Sequence, residues 1–210
     1  MSTKTDIVLE VDQQLKQLKE QANNCQECEL FLNRRQVVWA DGDASCEIML
    51  IAEAPGKDED IAGIPFVGRA GQLLDKILMA PDVKIPRKTI YIANVIKCWP
   101  GEGNPTPTED QMYSCIHFLN DQINLVKPHL IVAMGNPACW ALDILPNMSG
   151  ITKVRGKEYE YNGILTIPTF HTAYILRRGG IDGDEVKRQA WNDWKLISQK
   201  WRELRNVRSS

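Results

Sequence analysis

The chain alternates short apolar runs with helical patterns, and this order limits it to few folds. Each run is continuous rather than alternating with polar residues, which is typical of strands buried on both faces of a parallel sheet. The runs are Ile48–Ala52, Thr89–Ala93, Leu130–Met134 and Ile164–Pro168. Because helical patterns separate them, we predict an α/β fold built on a parallel sheet.

The helical segments have recognisable faces and ends. Apolar residues recur every three or four positions from Ile7 to Ala22, which predicts a first helix. Thr108 followed by Gln111 three residues later is a capping-box pattern that marks the start of another. We expect one domain over residues 1–210, with an N-terminal helix and cysteine pair at 6–30 and a basic helix at about 184–205.

Composition excludes two classes of protein. No apolar run approaches the roughly 18 residues that a membrane span needs, and the polar first residues do not resemble an export signal. We therefore expect a soluble cytoplasmic monomer without membrane contact. The formal net charge of −2 gives no global attraction to nucleic acid, so any surface that binds DNA must be local.

Six cysteines in a reducing compartment are more typical of metal ligands or buried thiols than of disulfides. Cys25 and Cys28 form a CxxC pair just after the first helix, and Cys98 and Cys115 follow at a distance. Such a set suits either a four-thiolate zinc site or an iron–sulfur cluster, and spacing alone does not distinguish them. The other two cysteines are expected to be buried apolar residues.

Polar residues follow the predicted strands where each one ends. Glu53 comes after the first run, Asn94 after the second and His171 shortly after the fourth. In open parallel sheets the binding crevice lies outside the carboxyl ends of the strands. We therefore predict that a carboxylate, an amide and an imidazole converge on one edge of the sheet.

Several segments match a known family in order. They are Ala52-Glu53-Ala54-Pro55-Gly56-Lys57-Asp58-Glu59-Asp60, Gly63-Ile64-Pro65-Phe66-Val67-Gly68-Arg69-Ala70-Gly71-Gln72-Leu73-Leu74, Tyr91-Ile92-Ala93-Asn94-Val95-Ile96-Lys97-Cys98, Ile151-Thr152-Lys153-Val154-Arg155-Gly156-Lys157 and His171-Thr172-Ala173-Tyr174-Ile175-Leu176-Arg177. Over roughly residues 22–195 the chain resembles the family 4 uracil-DNA glycosylases. The resemblance implies a three-layer α/β/α sandwich with a central four-stranded parallel sheet.

The resemblance also implies a cofactor. Cys25, Cys28, Cys98 and Cys115 fall where the family has the ligands of a structural 4Fe-4S cluster. Thiolates bind iron well because both partners are soft. Zinc remains the alternative occupant.

The implied reaction is hydrolysis of the N-glycosidic bond of uracil in DNA, leaving an abasic site and passing through no covalent intermediate. The nucleotide must first leave the helical stack. Phe66 is the candidate that stacks on the base, although an aromatic residue there can also be plain core. Asn94 can accept from N3–H and donate to O4 of uracil, a pairing that cytosine cannot satisfy.

Other roles follow from the same resemblance. His171 is the candidate donor to uracil O2, where negative charge develops as the bond breaks. Glu53 is assigned to positioning water or to ordering its turn, and Ala54 and Gly56 border the base. Glu59 occupies the position that crowds the C5 edge and refuses thymine, although it can also be read as an exposed acid.

The remaining assignments concern DNA. Either Ile175 or Leu176 is expected to wedge into the gap left by the extruded base, while Arg177 holds a phosphate. Backbone amides from Gly68 through Arg69 to Gly71, at a helix start, are expected to bind phosphate as well. Arg155 belongs to a basic segment that adds further contacts or forms a simple turn.

The sequence departs from the family pattern at a few positions. Ala52 replaces the usual glycine, Thr172 replaces the usual proline after His171, and Trp99-Pro100-Gly101 replaces an Arg-Pro-Pro type sequence. These departures keep two alternatives open. One is an iron–sulfur DNA-binding homologue with weak or no catalysis, and the other is a glycosylase for a different damaged or modified base.

Overall fold

A five-stranded sheet forms the centre of the structure, a computed structural model that describes residues 4–178 and 180–209. In spatial order the strands run β2, β1, β3, β5, β4. Their bounds are Ile48–Ala52 for β1, Ile90–Asn94 for β2, Leu130–Met134 for β3, Tyr159–Tyr161 for β4 and Ile164–Thr169 for β5. The predicted α/β class is confirmed, but the sheet has five strands rather than four.

Four of the strands are parallel, and they correspond to the four predicted apolar runs. Ile48 of β1 lies beside Ile90 of β2 and Leu130 of β3, while Leu130 also pairs with Leu165 of β5. Every residue of β1, β2 and β3 is buried. Because these strands point the same way, their carboxyl ends meet at one edge of the sheet.

The fifth strand, β4, is a short antiparallel addition at the rim. It pairs with β5, with Tyr159 opposite Thr166, through a tight hairpin. Asn162 and Gly163 in the turn both have positive φ, 49° and 78°. Asn-Gly between two strands is the standard signal for such a turn, so the hairpin could have been predicted from the sequence. The three residues of β4 form no apolar run and did not indicate a strand by themselves.

Eight α-helices are described, and the chain also forms two 3₁₀ turns at Glu29–Leu32 and Arg87–Thr89. The helices are α1 Lys4–Asn23, α2 Lys57–Ala62, α3 Arg69–Met79, α4 Glu109–Val126, α5 Asn136–Ala141, α6 Ile151–Val154, α7 Thr172–Arg177 and α8 Gly180–Ser209. The predicted capping box at α4 is confirmed, because Gln111 N donates to Thr108 Oγ1 and Thr108 N donates to Gln111 Oε1.

Helices cover both faces of the sheet, so the predicted three layers are confirmed. Along β1, Ile48 and Leu50 belong to the apolar cluster that contains Leu74 of α3 and Trp194 of α8. The intervening Met49 belongs to the opposite cluster, which is built from α1, α4 and α5. Cys46 and Cys139 are buried, as predicted. Burying both faces explains why the strand sequences are continuous apolar runs.

In the described part of the chain, neither edge of the sheet exposes a long unpaired strand. Outside β2, Asp41 exchanges two backbone hydrogen bonds with Ile92, with N···O distances of 3.0 and 2.7 Å. At the opposite rim β4 has three residues, of which Glu160 is exposed. Among the described helices, none has the length and apolar character needed to cross a membrane.

Candidate functional site

A cavity of about 240 Å³ opens at the carboxyl edge of the parallel strands. All six predicted substrate-binding residues line it: Ala54, Gly56, Glu59, Phe66, Asn94 and His171. Gly68 and Arg69, which were predicted to contact DNA, also border the cavity. The convergence predicted from strand order therefore occurs for the amide and the imidazole.

Asn94 supplies a buried polar group without a protein partner. It is the last residue of β2, and its side chain is 2% exposed. Within the described chain, its Oδ1 atom has no hydrogen-bond partner. Buried polar atoms are almost always paired, so an unpaired acceptor that lines a cavity indicates a ligand that donates to it.

Phe66 is held in the cavity wall by an unusual backbone. Its φ is 58°, in the left-handed region that bulky residues rarely adopt, and its side chain is 7% exposed. The ring lies 5.7 Å from the His171 ring, centroid to centroid, at an interplanar angle of 33°. Strained backbones of this kind persist where the surroundings fix them, which is common in binding sites.

Gly71 makes the Phe66 conformation possible. A Cβ atom at Gly71 would lie 1.8 Å from the carbonyl oxygen of Phe66 and 2.2 Å from its carbonyl carbon. Gly71 was predicted to bind phosphate, but it does not line the cavity. Its visible role is to let α3 pack directly against the backbone of Phe66.

Glu59 ties two loops of the cavity together. Its Oε1 accepts hydrogen bonds from the amides of Val67 at 3.0 Å and Gly68 at 2.9 Å. Its Oε2 accepts from Gly56 N at 3.1 Å. The carboxylate is therefore engaged through both oxygens rather than exposed as a simple surface acid. The prediction that it also crowds the C5 edge of a base stays a prediction.

His171 is fixed in one tautomer by the start of α7. Its Nδ1 accepts a hydrogen bond from Ala173 N at 3.1 Å, so the ring proton of the neutral form lies on Nε2. Burial, aided by the charge of Arg177, lowers the pKa of His171 to about 4. The imidazole is therefore neutral near pH 7, with Nε2–H available as a donor.

Glu53 stands beside the cavity but does not line it. Burial raises the pKa of its carboxyl group, while the charge of Arg177 and a hydrogen bond with the Thr106 side chain lower it. The carboxylate thus links the end of β1 to the 99–107 loop and to α7. This arrangement favours the ordering role among the two that were predicted for Glu53.

Thr172, the departure from the family proline, occupies a position that suits proline. It is the first residue of α7, where the backbone N–H has no intrahelical acceptor. The preceding His171 has φ −65° and ψ 136°, a conformation that is favoured before proline. The buried hydroxyl of Thr172 has no partner in the described chain. The threonine therefore keeps the loop geometry that proline would impose.

We expect the substitution Thr172→Pro to raise the free energy of unfolding by about 0.4–1 kcal/mol, because proline reduces the entropy of the unfolded chain at a compatible position. Urea denaturation with an unchanged m-value measures this. Ala173→Pro is the matched control, because it removes the N–H that holds His171 Nδ1 and should lower stability. A lower urea midpoint for Thr172→Pro would contradict the assignment.

The two wedge candidates differ in exposure. Ile175 is 6% exposed and packs in a small cluster with Phe170, Val186 and Ala190. Leu176 is 42% exposed on the same short helix. Only Leu176 has the accessible apolar side chain that insertion between bases requires.

Arg155 lies in an ion pair inside the protein. Its guanidinium donates to both carboxylate oxygens of Asp193 in α8 and also to the carbonyl of Gln189. Asp193 is 1% exposed and also accepts from Thr169 Oγ1 at 2.9 Å. The Asp193 carboxylate therefore ties α8 to the end of β5, and Arg155 neutralises its charge. This geometry gives no support to the predicted phosphate contact of Arg155.

The basic C-terminal helix is largely paired as well. Lys187 and Arg188 bond to acids one turn away, and Lys200 lies 2.8 Å from Glu158. Arg202 donates to the carbonyl of Val83. These contacts favour a solvated helix face over a dedicated DNA surface.

No role was predicted from the sequence for several residues that line the cavity, namely Lys57, Asp58, Asn104 and Ala173. Asn104 has φ 49° and lies in the 99–107 loop, and Lys57 bonds to Glu102 of that loop at 3.0 Å. Gly103 and Pro105 are typical of a loop, and the position of this segment after β2 could have indicated that it borders the edge of the sheet.

The four predicted metal ligands line a second cavity. Cys25 and Cys28 follow α1, Cys98 follows β2, and Cys115 lies in α4. Among the described residues, no group of three or more His, Cys, Asp or Glu side chains converges closely enough to hold one metal ion. The thiols therefore surround a shared space without meeting at a point.

Two cationic side chains adjoin the cysteine cavity. Arg34 donates from Nη1 to Cys98 Sγ at 3.2 Å and from Nη2 to the carbonyls of Asn23 and Cys25. Lys97 lines the same cavity. Burial raises the pKa of the Cys115 thiol to about 12, against the opposing charge of Lys97. Burial likewise raises the pKa of the Cys98 thiol and outweighs the opposing effect of Arg34, so the net shift is upward.

Comparisons with known proteins find one family repeatedly. The family model described as Uracil DNA glycosylase superfamily matches residues 39–195. The type-4 uracil-DNA glycosylase of Thermotoga maritima is 41% identical over 161 residues, which are 76% of this chain and 82% of that protein. The one from Saccharolobus solfataricus is 39% identical over 165 residues, 76% of each chain. That of Pyrobaculum aerophilum is 35% identical over 179 residues, 82% of this chain and 90% of that protein.

Proposed function

The chain belongs to the uracil-DNA glycosylase superfamily, and we propose that it hydrolyses the N-glycosidic bond of uracil in DNA to leave an abasic site. The observation that carries this proposal is the unpaired Oδ1 of Asn94, a buried acceptor in a cavity that it shares with Phe66 and His171. The names of the related glycosylases support the same substrate.

Recognition of the base follows from the Asn94 amide. Uracil presents a donor at N3 and an acceptor at O4, which match Oδ1 and Nδ2 of Asn94. Cytosine presents the opposite pair, and a site built to bond one pattern rejects the other strongly. Stacking on Phe66 contributes about 1–3 kcal/mol. That amount is comparable with the few kcal/mol needed to extrude a base.

Bond cleavage requires stabilisation of the departing base. As the bond breaks, negative charge develops on the uracil ring, and a fixed donor at O2 lowers the barrier. His171 is neutral with its proton on Nε2, so Nε2–H can donate a hydrogen bond to uracil O2 while the ring stays uncharged. We assign it this role.

Activation of water depends on weaker groups. Ala54, in the turn after β1, has no side chain that can act as a base. Glu53 lies beside the cavity with its carboxylate near Arg177. We assign Glu53 to ordering the 99–107 loop and α7 around the attacking water. Stabilisation of the leaving base then supplies most of the rate.

The DNA contacts in this proposal are local. Leu176 fills the gap left by the extruded base, and Arg177 binds a neighbouring phosphate. The amides of Arg69 and Ala70, in the first turn of the eleven-residue helix α3, bind another, whereas the Gly68 amide is engaged by Glu59. This fits a protein whose net charge of −2 provides no general attraction to DNA.

The test is excision from an oligonucleotide containing one uracil, read as strand cleavage after alkali. We expect the wild-type protein to cleave the strand, and Asn94→Ala to lower the rate about 10²-fold or more because recognition of the base is lost. The exposed Asn206→Ala serves as the matched control and should keep full activity.

Two results would overturn the proposal. A folded protein that binds the oligonucleotide and leaves it intact would be a DNA-binding homologue without catalysis. Cleavage of strands that carry hypoxanthine, xanthine or a modified uracil, with uracil left in place, would identify a glycosylase for another base.

We further propose that Cys25, Cys28, Cys98 and Cys115 hold a 4Fe-4S cluster. The four thiols line one cavity, and they fall at the positions where the family that this chain resembles has the ligands of its cluster. The N–H of Arg34 toward Cys98 and the ammonium of Lys97 suit an anionic thiolate cluster. When bound, the cluster would cross-link the end of α1, the end of β2 and α4.

Anaerobic loading with iron and sulfide tests the cofactor. We expect broad visible absorption and about four irons per chain, with loss of both in Cys98→Ser. Cys46→Ala is the control, because Cys46 is buried outside this cavity. A colourless protein that binds one zinc and no iron would refute the cluster.

A further inference from the structure

Lys97 is a buried cation between the cysteine cavity and the base-binding cavity. Its side chain is 1% exposed, and its Nζ donates to the backbone carbonyl of Asn94 at 2.7 Å and to Gln122 Oε1 at 2.6 Å. It also lies over the ring of Trp39, 5.4 Å from the centroid. An ammonium in such a place is costly unless a negative charge compensates it.

The compensating charge does not come from a carboxylate. No aspartate or glutamate of the described chain lies within ion-pairing distance of Lys97, and its two hydrogen-bond acceptors are neutral. Cys98 is its neighbour in the chain and Cys115 lines the same cavity, so thiolate ligands of a bound cluster would supply negative charge beside it. Lys97 lines the same cavity as these cysteines. Its charge is therefore balanced when the cysteines are held as thiolates.

Lys97 also contacts Asn94, whose side-chain amide is proposed to recognise uracil. The carbonyl that accepts from Lys97 belongs to Asn94, whose side-chain Oδ1 is the unpaired acceptor of the base cavity. Asn94 is the last residue of β2, so its backbone leaves the sheet at this point. Gln122 supports the ammonium from α4 and is itself bonded to the hydroxyl of Tyr91 at 3.0 Å.

We propose that Lys97 is a positioning residue that couples the cysteine-held cluster to uracil recognition: it balances the charge of the cluster and fixes the backbone from which the Asn94 amide projects. The inference rests on the proposed function, because it assumes both the cluster and the pyrimidine cavity. It implies that the cluster supports recognition of the base in addition to cross-linking the fold.

The test replaces Lys97 by methionine, which keeps most of the length and removes the charge and the donor. In the cluster-loaded protein, Lys97→Met should shift the reduction potential of the cluster to more negative values, because a nearby cation is lost. It should also lower kcat/KM for uracil excision about 10–100-fold, the usual effect of removing a residue that supports metal ligands. KM should rise, because the Asn94 amide is less well placed. Lys187→Met, an exposed lysine of α8, should change neither quantity.

A second variant covers the case in which Lys97→Met does not fold. Gln122→Glu gives the ammonium a carboxylate partner and leaves the bond to Asn94 in place. It should shift the potential to more negative values while KM stays within about twofold of the wild-type value, because recognition still depends on the Lys97 to Asn94 contact.

The outcomes separate the two proposals. A wild-type protein that excises no uracil refutes the proposed function, and one that binds no iron refutes the cluster. A wild-type protein that does both refutes the role of Lys97 alone if neither variant shifts the potential, or if Lys97→Met folds and leaves KM unchanged.

Discussion

Replacing His171 by alanine is expected to lower the rate of uracil excision about 10²–10³-fold, the usual loss when one donor to a developing anion is removed. The neutral imidazole, fixed by the bond from Ala173 N, is the donor assigned to uracil O2. Single-turnover kinetics with a uracil-containing oligonucleotide measure the effect. Binding of the oligonucleotide should change little, because the ring acts inside the cavity.

His117→Ala is the control for this substitution. His117 is a half-exposed residue of α4, 4.0 Å from Glu27, and does not line the base cavity. It should retain the wild-type rate. If His171→Ala excises uracil at the wild-type rate, stabilisation of the leaving base must come from another group, and the assigned mechanism fails.

Replacing Gly71 by alanine should lower the free energy of unfolding by about 3 kcal/mol, because the added methyl group overpacks against the backbone of Phe66. The higher helix propensity of alanine would by itself raise the stability by up to about 1 kcal/mol. The clash with Phe66 acts in the opposite direction and is larger. Because Phe66 must move, excision should fall roughly 10- to 100-fold as stacking on the base is lost. Thermal or urea unfolding and the excision assay measure the two effects.

The neighbouring position provides the comparison. Gln72 is exposed on the same helix, and Gln72→Ala should change the unfolding free energy by less than about 0.5 kcal/mol. If Gly71→Ala is more stable than the wild type, the conformation of Phe66 does not depend on the close packing of α3 at Gly71 against its backbone.

The sequence predicted the parts of the site that depend on strand order. Asn94 and His171 could be placed near each other because parallel strands bring their carboxyl ends to one edge. The four parallel strands could be predicted because burial on both faces of the sheet requires continuous apolar runs. The strand β4 was missed because three half-exposed residues carry no such run, although its Asn-Gly turn was visible.

Other assignments depended on packing that no local pattern records. Arg155 looks like a free basic residue in the sequence, and only the fold brings Asp193 of α8 to it. Ile175 and Leu176 are both apolar, and their difference in exposure arises from the packing of α7 against α8. Lys97 stands in a motif beside a cysteine, but its burial and its bond to Asn94 require coordinates.

The two rims of the sheet have a consequence for the chain during and after folding. Exposed strand edges invite pairing with other molecules, which begins aggregation. Here Ile92, in the middle of β2, already has both backbone groups bonded to Asp41, and β4 presents three residues with a charged one at its centre. A second copy in the process of folding finds little unbonded backbone on which to add a strand, so the sheet resists self-association through its edges.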